Sequence, residues 1–305
     1  MKPKTWKAVL IAMQDGCWHS GQRLGDDLGL TRAAMWQRIE ALRALGVPVE
    51  SGPRGYRIPD GVYLPDAASL MLAAVPVVVT DVTDSTNQDV LERRELVSEI
   101  ALWQAAGRGR RGRPWWGAPG RTLLCSVGLD MESQGQAWWG LSLAVGVVVA
   151  EYLAEQGVLV ELKWPNDLYL HDRKLGGLLI ELTGDPLGQM RVVAGLGLNL
   201  ASVCIAEAPP MADLRESGCL WSDVATAGLI ERIHRCLALF PEQGFQEYRS
   251  RYQARCLLTG KQVSVDGTLP FSGLCHGVDL QGQLIVETED GLQTVSAGEV
   301  SVRWQ

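Results

Sequence analysis

The run Gly107-Arg108-Gly109-Arg110-Arg111-Gly112-Arg113 puts four guanidinium groups on one glycine-rich loop. Gly107, Gly109 and Gly112 match the G-x-G-x-x-G spacing that, in a dinucleotide fold, opens a helix against a pyrophosphate. Here Pro114-Trp115-Trp116-Gly117 and then Pro119-Gly120 follow. No helix continues the loop, so that fingerprint fails on its context. No Gly-Lys-Ser/Thr follows either, which excludes a P-loop. What remains is a basic loop whose Arg forks match phosphate oxygens and whose glycines let backbone N–H groups approach an anion. That chemistry suits a polyphosphate; a solvated basic loop or a nucleic-acid contact would share the composition.

Lys163 and Lys174 are the only lysines between Lys7 and Lys261. Both stand in apolar, strand-like sequence beside tight turns, Pro165-Asn166-Asp167 and His171-Asp172-Arg173. This placement points to a cleft, with an exposed surface as the alternative. Gly176-Gly177 leaves bare backbone beside Lys174, against which a ligand can lie. His19, His171, His234 and His276 lack metal-ligand spacing. The seven cysteines form no C-x-x-C pair and read as reduced, mostly buried thiols.

The elements that must position these groups read as a mixed sheet covered by helices, an α+β body. Strands are expected at Val75–Thr80, Ile100–Gln104 and Arg121–Leu129. Four more follow at Val158–Trp164, Leu168–Leu170, Lys174–Leu182 and Val192–Gly197, the last leading to Asn199. Asp84-Ser85-Thr86-Asn87 opens a helix to about Glu95, with Ser or Thr as cap. Gln136–Gln156 reads as a long apolar helix, with Trp138 and Trp139 as packing residues. From about 259 to 305, five alternating segments separated by Asp266-Gly267 and Asp290-Gly291 read as a small barrel.

The N-terminal sixty residues follow another pattern. Ser20 caps a helix closed by Gly29; Thr31 caps a second, Arg32–Leu45, closed by Gly46. Helix, tight turn, helix is the helix-turn-helix pattern, and two short strands around Ser51–Gly55 add a wing. Arg32, Ala33, Trp36, Gln37 and Arg38 on the second helix, with Arg54 on the wing, are the candidate DNA contacts. A small helical domain that only packs or dimerises is the alternative.

The net charge of −7 is an average over unlike parts. Residues 1–60 hold nine Lys and Arg against six Asp and Glu; the rest holds nineteen against twenty-nine. The acidic total therefore does not exclude nucleic acid. With 47% apolar and 21% charged residues, wholesale disorder is excluded. No apolar stretch has the length of a membrane span and no signal-peptide pattern is present, so a cytoplasmic protein without membrane contact is expected.

Four motifs occur in order: Asp84-Ser85-Thr86-Asn87; Gln104 with the Gly107–Arg113 run; Lys163-Trp164-Pro165-Asn166-Asp167; and Lys174-Leu175-Gly176-Gly177. Together they resemble the biotin–protein ligase family. With the helix-turn-helix, the chain is similar over nearly its whole length to the bifunctional ligases that also repress biotin operons. The resemblance implies a winged helix-turn-helix over 1–62, a catalytic mixed-sheet domain of the biotin/lipoate ligase type over 63–258, and an SH3-like β-barrel over 259–305. It implies formation of biotinyl-5′-adenylate from biotin and ATP with Mg²⁺, and transfer of biotin to a lysine of a biotin carboxyl carrier protein. By the same likeness, Ser85, Thr86, Asn87, Gln104, Gly107, Arg108, Gly109, Arg110, Lys174 and Gly177 bind biotin. Arg108, Arg110, Arg111, Arg113, Trp115, Asn166 and Asn199 meet ATP or the adenylate. Lys174, Arg110, Asp167 and Lys163 are the catalytic set, with Asp167 a candidate Mg²⁺ ligand or positioning group.

An acyl-adenylate is already activated, so the second step needs positioning of the carrier amine more than a protein nucleophile. Operator DNA of biotin genes and an adenylate-promoted homodimer complete the expectation. The segment between Asn199 and Trp221 carries no residue that the resemblance assigns, and the small barrel would contact ATP, the carrier or neither. Two alternatives are a ligase with a non-regulatory DNA domain and a biotin-responsive transcription factor without ligase activity. Lys174 and the intact arginine loop argue against the second. A lipoate ligase would be expected to lack both that loop and the N-terminal module.

Overall fold

The computed structural model describes residues 6–70, 73–132, 138–266, 270–297 and 301–304. At the N-terminus, α1 (Lys7–Ala12), α2 (Gly21–Leu28) and α3 (Arg32–Ala44) precede a wing of β1 (Glu50–Gly52) and β2 (Gly55–Arg57). The caps form as their residue types dictate. Thr31 Oγ1 accepts the Ala34 N–H at 3.2 Å, and Gly29 ends α2 at φ 62°, a left-handed turn that favours glycine. Trp6, Val9, Leu10, Met13, Met35, Ile39 and Leu42 close the core at helical spacing. That core also takes in Leu102 and Ala118 from farther along the chain.

The body contains α4 (Ala67–Leu70), β3 (Val77–Thr83), α5 (Thr86–Glu92), β4 (Ser98–Gln104) and β5 (Thr122–Glu132). It continues with α6 (Leu141–Glu155), β6 (Glu161–Lys163), β7 (Asp167–Leu170), β8 (Arg173–Gly184) and β9 (Gln189–Asn199), then α7 (Asp223–Gln243) and α8 (Gln246–Gln253). The seven strands run in the order β3-β4-β5-β9-β8-β7-β6, parallel only between β3 and β4. Strand alternation assigns the faces. Val192, Ala194, Leu196 and Leu198 of β9 join the core with α6 and α7, while Val193 packs with Val90 and Leu96 on the α5 side. Buried Arg191 fixes that side, donating to the carbonyls of Val90 (2.6 Å), Arg94 (3.1 Å) and Leu96 and to the Asp130 carboxylate.

A second buried arginine joins the body to the winged helix. Arg121 donates to the carbonyls of Pro59 and Gly61, each at 2.6 Å, and to the Ser202 carbonyl and hydroxyl at 2.9 and 3.0 Å. Burial lowers its pKa. Beside it, the Cys204 N–H donates to the carbonyl of Gly46, just beyond α3, at 2.8 Å.

The C-terminal strands β10 (Gln262–Asp266), β11 (Phe271–Val278), β12 (Leu284–Thr288), β13 (Gly291–Val295) and β14 (Ser301–Trp304) form an antiparallel sheet ordered β13-β12-β11-β10-β14. Val263, Val265, Cys275 and Val286 belong to the same core as α6 and α7.

Several sequence expectations need adjustment. The long helix begins at Leu141, because Gly140 adopts φ 78° and a side chain there would strike Phe245. Gln136 lies outside the described residues. Trp138 stacks on Phe240 at 6.2 Å, whereas Trp139 is 62% exposed, so the two are not a joint packing pair. The helix after Ser85 ends at Glu92, and the expected strand Val158–Trp164 shortens to three residues. All seven cysteines are free, but only Cys125, Cys236 and Cys275 are buried; Cys17 and Cys204 are exposed. Gly267 and Val300, of the expected C-terminal turn and strand, lie outside the described residues. Among the described residues, no helix is long and apolar enough to cross a membrane.

Candidate active site

The α5 face of the sheet is floored by glycine. Gly177 of β8 pairs with Gly197 of β9, and Ser126 of β5 pairs with Gly195. A methyl group on Gly195 would collide with the Asn87 amide, and one on Gly197 with the Trp115 indole. One on Gly177 would stand 3.1 Å from Trp115 and 3.2 Å from Lys174 Nζ. Without side chains at these places the sheet admits a cavity of about 520 Å³.

One end of this cavity is a closed polar network. Ser85 caps α5, and the Thr86 N–H donates to Gln104 Oε1 at 2.8 Å. Thr86 Oγ1 lies 2.9 Å from Gln104 Oε1 and 2.7 Å from Ser126 Oγ. The Ser126 hydroxyl donates to Asn87 Oδ1 at 2.6 Å, and Asn87 Nδ2 donates to the Glu181 carboxylate at 2.7 Å and the Leu179 carbonyl at 3.2 Å. Ser85, Thr86, Asn87 and Ser126 are buried, so each bond replaces one lost to water. Arg108 reaches this wall, donating to Gln88 Oε1 at 2.9 Å with Glu181 3.8 Å away.

The other end is cationic. The arginine loop folds on itself. Gly109 N–H donates to the Arg113 carbonyl at 2.7 Å and Trp115 N–H to the Gly107 carbonyl at 2.9 Å, while Arg111 and Gly112 turn at φ 60° and 68°. Arg111 and Arg113 are exposed. Arg110 donates to the carbonyl of Ala297, just beyond the Gly291–Val295 strand, and burial lowers its pKa. Lys174 Nζ lies 2.6 Å from Asp167 Oδ1 and 5.2 Å from the Trp115 ring centre. Lys163 lies 4.5 Å from the Trp304 ring centre. Burial lowers its pKa, with the Lys174, Arg113 and Arg303 charges adding to that and Asp167 opposing it.

The structure therefore gathers Ser85, Thr86, Asn87, Gln104, Arg108, Gly109, Arg110, Arg111, Arg113, Trp115, Lys163, Asn166, Asp167, Lys174 and Gly177 around one cavity. Gly107 and Asn199 are not on its wall. Asn166 Nδ2 donates to the Leu178 carbonyl at 2.6 Å and so fixes its own turn. Asn199 is buried, its Nδ2 donating to the Ala212 carbonyl at 3.1 Å while Oδ1 has no partner. The unassigned segment after Asn199 brings Pro209 and Met211 to the wall, and Ala212 N–H donates to the Lys174 carbonyl at 2.9 Å. Ser126, Glu181, Val302 and Arg303 are further neighbours that the motifs did not reveal. The floor did have a signal, the alternation Gly195-Leu196-Gly197-Leu198 in an otherwise bulky strand. Among the described residues no cluster of three metal-binding side chains exists, and Asp167 is the one carboxylate lining the cavity.

On the winged helix, Arg32, Ala33, Trp36 and Gln37 are exposed along α3. Arg38 is half-buried and turns back to donate to the Ala34 carbonyl at 3.1 Å. Arg54 lies at the wing tip, 4.9 Å from the Trp18 ring centre.

Comparison with known proteins places this geometry. Residues 79–199 match the model of the Biotin/lipoate A/B protein ligase family, 9–57 that of an HTH domain, and 259–303 that of the Biotin protein ligase C terminal domain. Over 317 aligned residues, covering 99% of each chain, the sequence is 38% identical to the bifunctional ligase/repressor BirA of Escherichia coli (strain K12). The chain belongs to the biotin/lipoate A/B protein ligase family. Within the family it is also 32% identical to the biotin--[acetyl-CoA-carboxylase] ligase of Mycobacterium tuberculosis, over 72% of this chain and 85% of that one. A solved neighbour, the biotin protein ligase of Aquifex aeolicus in complex with biotin and ATP, superposes with a TM-score of 0.64 at 28% identity. That match covers 75% of this chain and 99% of that one. The family's architecture here is an N-terminal helix-turn-helix, a central mixed-sheet ligase domain and a C-terminal antiparallel sheet domain.

Proposed function

We propose that this chain is an ATP-dependent biotin–protein ligase that also binds operator DNA of biotin genes as a repressor. The observation that carries the reading is the cavity's division into a closed polar end and a cationic end, on a chain alignable from end to end with a bifunctional ligase/repressor. The ureido ring of biotin has donors and a carbonyl acceptor, and Ser85, Thr86, Asn87 and Gln104, with the loop backbone at Arg108 and Gly109, offer matching groups. Its carboxylate then lies toward Lys174 and Arg110, over the bare backbone of Gly177.

In the first step a carboxylate oxygen attacks the α-phosphorus of ATP. A new P–O bond forms, the bond to pyrophosphate breaks, and negative charge accumulates on the phosphate oxygens. Lys174 and Arg110 donate to those oxygens, and Lys163, Arg108, Arg111 and Arg113 offset the remaining charge. Trp115 covers the reacting groups and Asn166 serves the nucleotide side, while Asn199, off the cavity wall, acts on it only through the Ala212 backbone. A Mg²⁺ ion is commonly held by one carboxylate together with substrate phosphates, so Asp167 is the residue that would hold one arriving on ATP, where it would neutralise phosphate charge. In the second step the amine of a carrier-protein lysine attacks the acyl carbon, loses a proton and displaces AMP. No protein nucleophile is needed.

Arg32, Ala33, Trp36, Gln37 and Arg38 of α3, with Arg54 of the wing, supply the DNA contacts, and the adenylate promotes a homodimer that spans two half-sites. Two measurements test this. Labelled biotin should pass to a carrier domain only with ATP and Mg²⁺; no transfer would sink the enzyme reading. Gel shift on a palindromic operator should strengthen with biotin plus ATP and weaken with salt; equal binding without them would sink the switch.

A further inference from the structure

We propose that Trp304, in the last described strand, is a positioning residue for nucleotide binding, holding Lys163 over the phosphate end of the cavity through its ring face. This rests on the ligase reading above. Lys163 Nζ lies 4.5 Å from the Trp304 ring centre and 5.5 Å from that of Tyr169, and the two rings meet edge to face at 5.4 Å and 78°. The cation therefore sits against two π-systems, an attraction that grows as water is excluded.

The contrast with Lys174 gives the reason. Lys174 is held by the Asp167 carboxylate, which steers the ammonium but cancels charge. An aromatic face steers an ammonium without a carboxylate in contact, and among the described residues Lys163 has no carboxylate within 4 Å to exchange before it meets phosphate oxygens. The holding ring comes from the C-terminal sheet, where Trp304 pairs with Val263, and the preceding Val302 and Arg303 line the cavity. The C-terminal domain thus contributes a wall of the nucleotide site, and a face that orients one of its cations.

The test separates a ring face from mere bulk. Trp304→Leu keeps an apolar filler and removes the π-system; Trp304→Phe keeps a weaker one. The full-length protein is assayed for KM of ATP, KM of biotin and kcat. Binding of α,β-methylene-ATP to biotin-saturated protein is measured by calorimetry, which needs no turnover. Trp304→Leu should raise both the KM and the Kd for nucleotide about fivefold, with KM for biotin unchanged and Trp304→Phe within about twofold of wild type. Lys261, 5.7 Å from the same ring but not on the cavity wall, is the control, and Lys261→Met should change neither. If Leu and Phe behave alike, or biotin affinity falls in parallel, Trp304 is only packing and the proposal is wrong. If the Leu and Phe variants split in nucleotide binding but the wild type transfers no biotin, the ligase reading falls and the positioning role stands. Wild-type protein that binds no nucleotide would overturn both.

Discussion

At one end of the cavity Thr86, Asn87, Ser126 and Gln104 bond to one another; at the other, Lys163, Lys174, Arg110, Arg111 and Arg113 share a wall with Asp167, the one carboxylate among the described lining residues. The first arrangement keeps buried neutral groups satisfied in the absence of ligand, and a ligand must then exchange bond for bond, which favours selectivity. The second gathers more cations than carboxylate around the cavity mouth, which favours an anion strongly and almost regardless of shape. On the proposed reading, selection of the molecule and activation of its carboxylate fall to different physics over a shared floor of glycine.

The largest effect that would break this contrast is at the charged end. Lys174→Ala should slow adenylate formation, read as pyrophosphate release, by about 10²–10³-fold, because it removes a donor from the reacting phosphate; a near-wild-type rate would dissolve the contrast. At the paired end, Asn87→Leu removes the acceptor of the Ser126 hydroxyl, which keeps only Thr86, and the amide donor to Glu181. It should lower stability by about 1–3 kcal/mol and weaken biotin binding at least tenfold. Unchanged melting would mean that the network is not closed as described. A milder perturbation compares both ends at once. Raising ionic strength from about 0.05 to about 0.5 M should raise KM for ATP several-fold and move KM for biotin less than twofold. Parallel changes would remove the distinction.

The smallest effect lies beneath the paired end. Glu99 is buried on β4 with Oε2 unpartnered and Oε1 accepting from Thr80 at 2.6 Å. Burial, with the Asp89 carboxylate adding, raises its pKa to about 7. The native carboxyl therefore keeps its proton to higher pH than the unfolded one. The stability this confers is complete below the unfolded value and is lost as pH rises through about 7. Glu99→Gln should flatten the fall in denaturation midpoint between about pH 5 and about pH 8; an unaltered slope would exonerate Glu99.

Much of this was legible in the sequence. Caps at Ser20, Thr31 and Ser85, the arginine loop and the two isolated lysines are local signals, each written within a few residues. Ser126 and Glu181 were not, because their meaning depends on Asn87, 39 and 94 residues away. Only the register of β5, β8 and β9 brings them together. The same holds for Trp304: a tryptophan near a chain end says nothing until a sheet closes it onto Lys163. Helix ends moved where a local breaker outweighed a long apolar pattern, as Gly140 did for α6.

Arg121 has a consequence for anyone who would recombine this protein. Its guanidinium ties the exit of the winged helix to Ser202, and the winged-helix core includes Leu102 and Ala118. The contacts between the helix-turn-helix and the body therefore reach well past the boundary expected at Val62. A chimera cut there would graft a reader onto a foreign socket, leaving one apolar surface uncapped and one cation without its acceptors. Reader and socket would have to be exchanged together, as a discontinuous cassette.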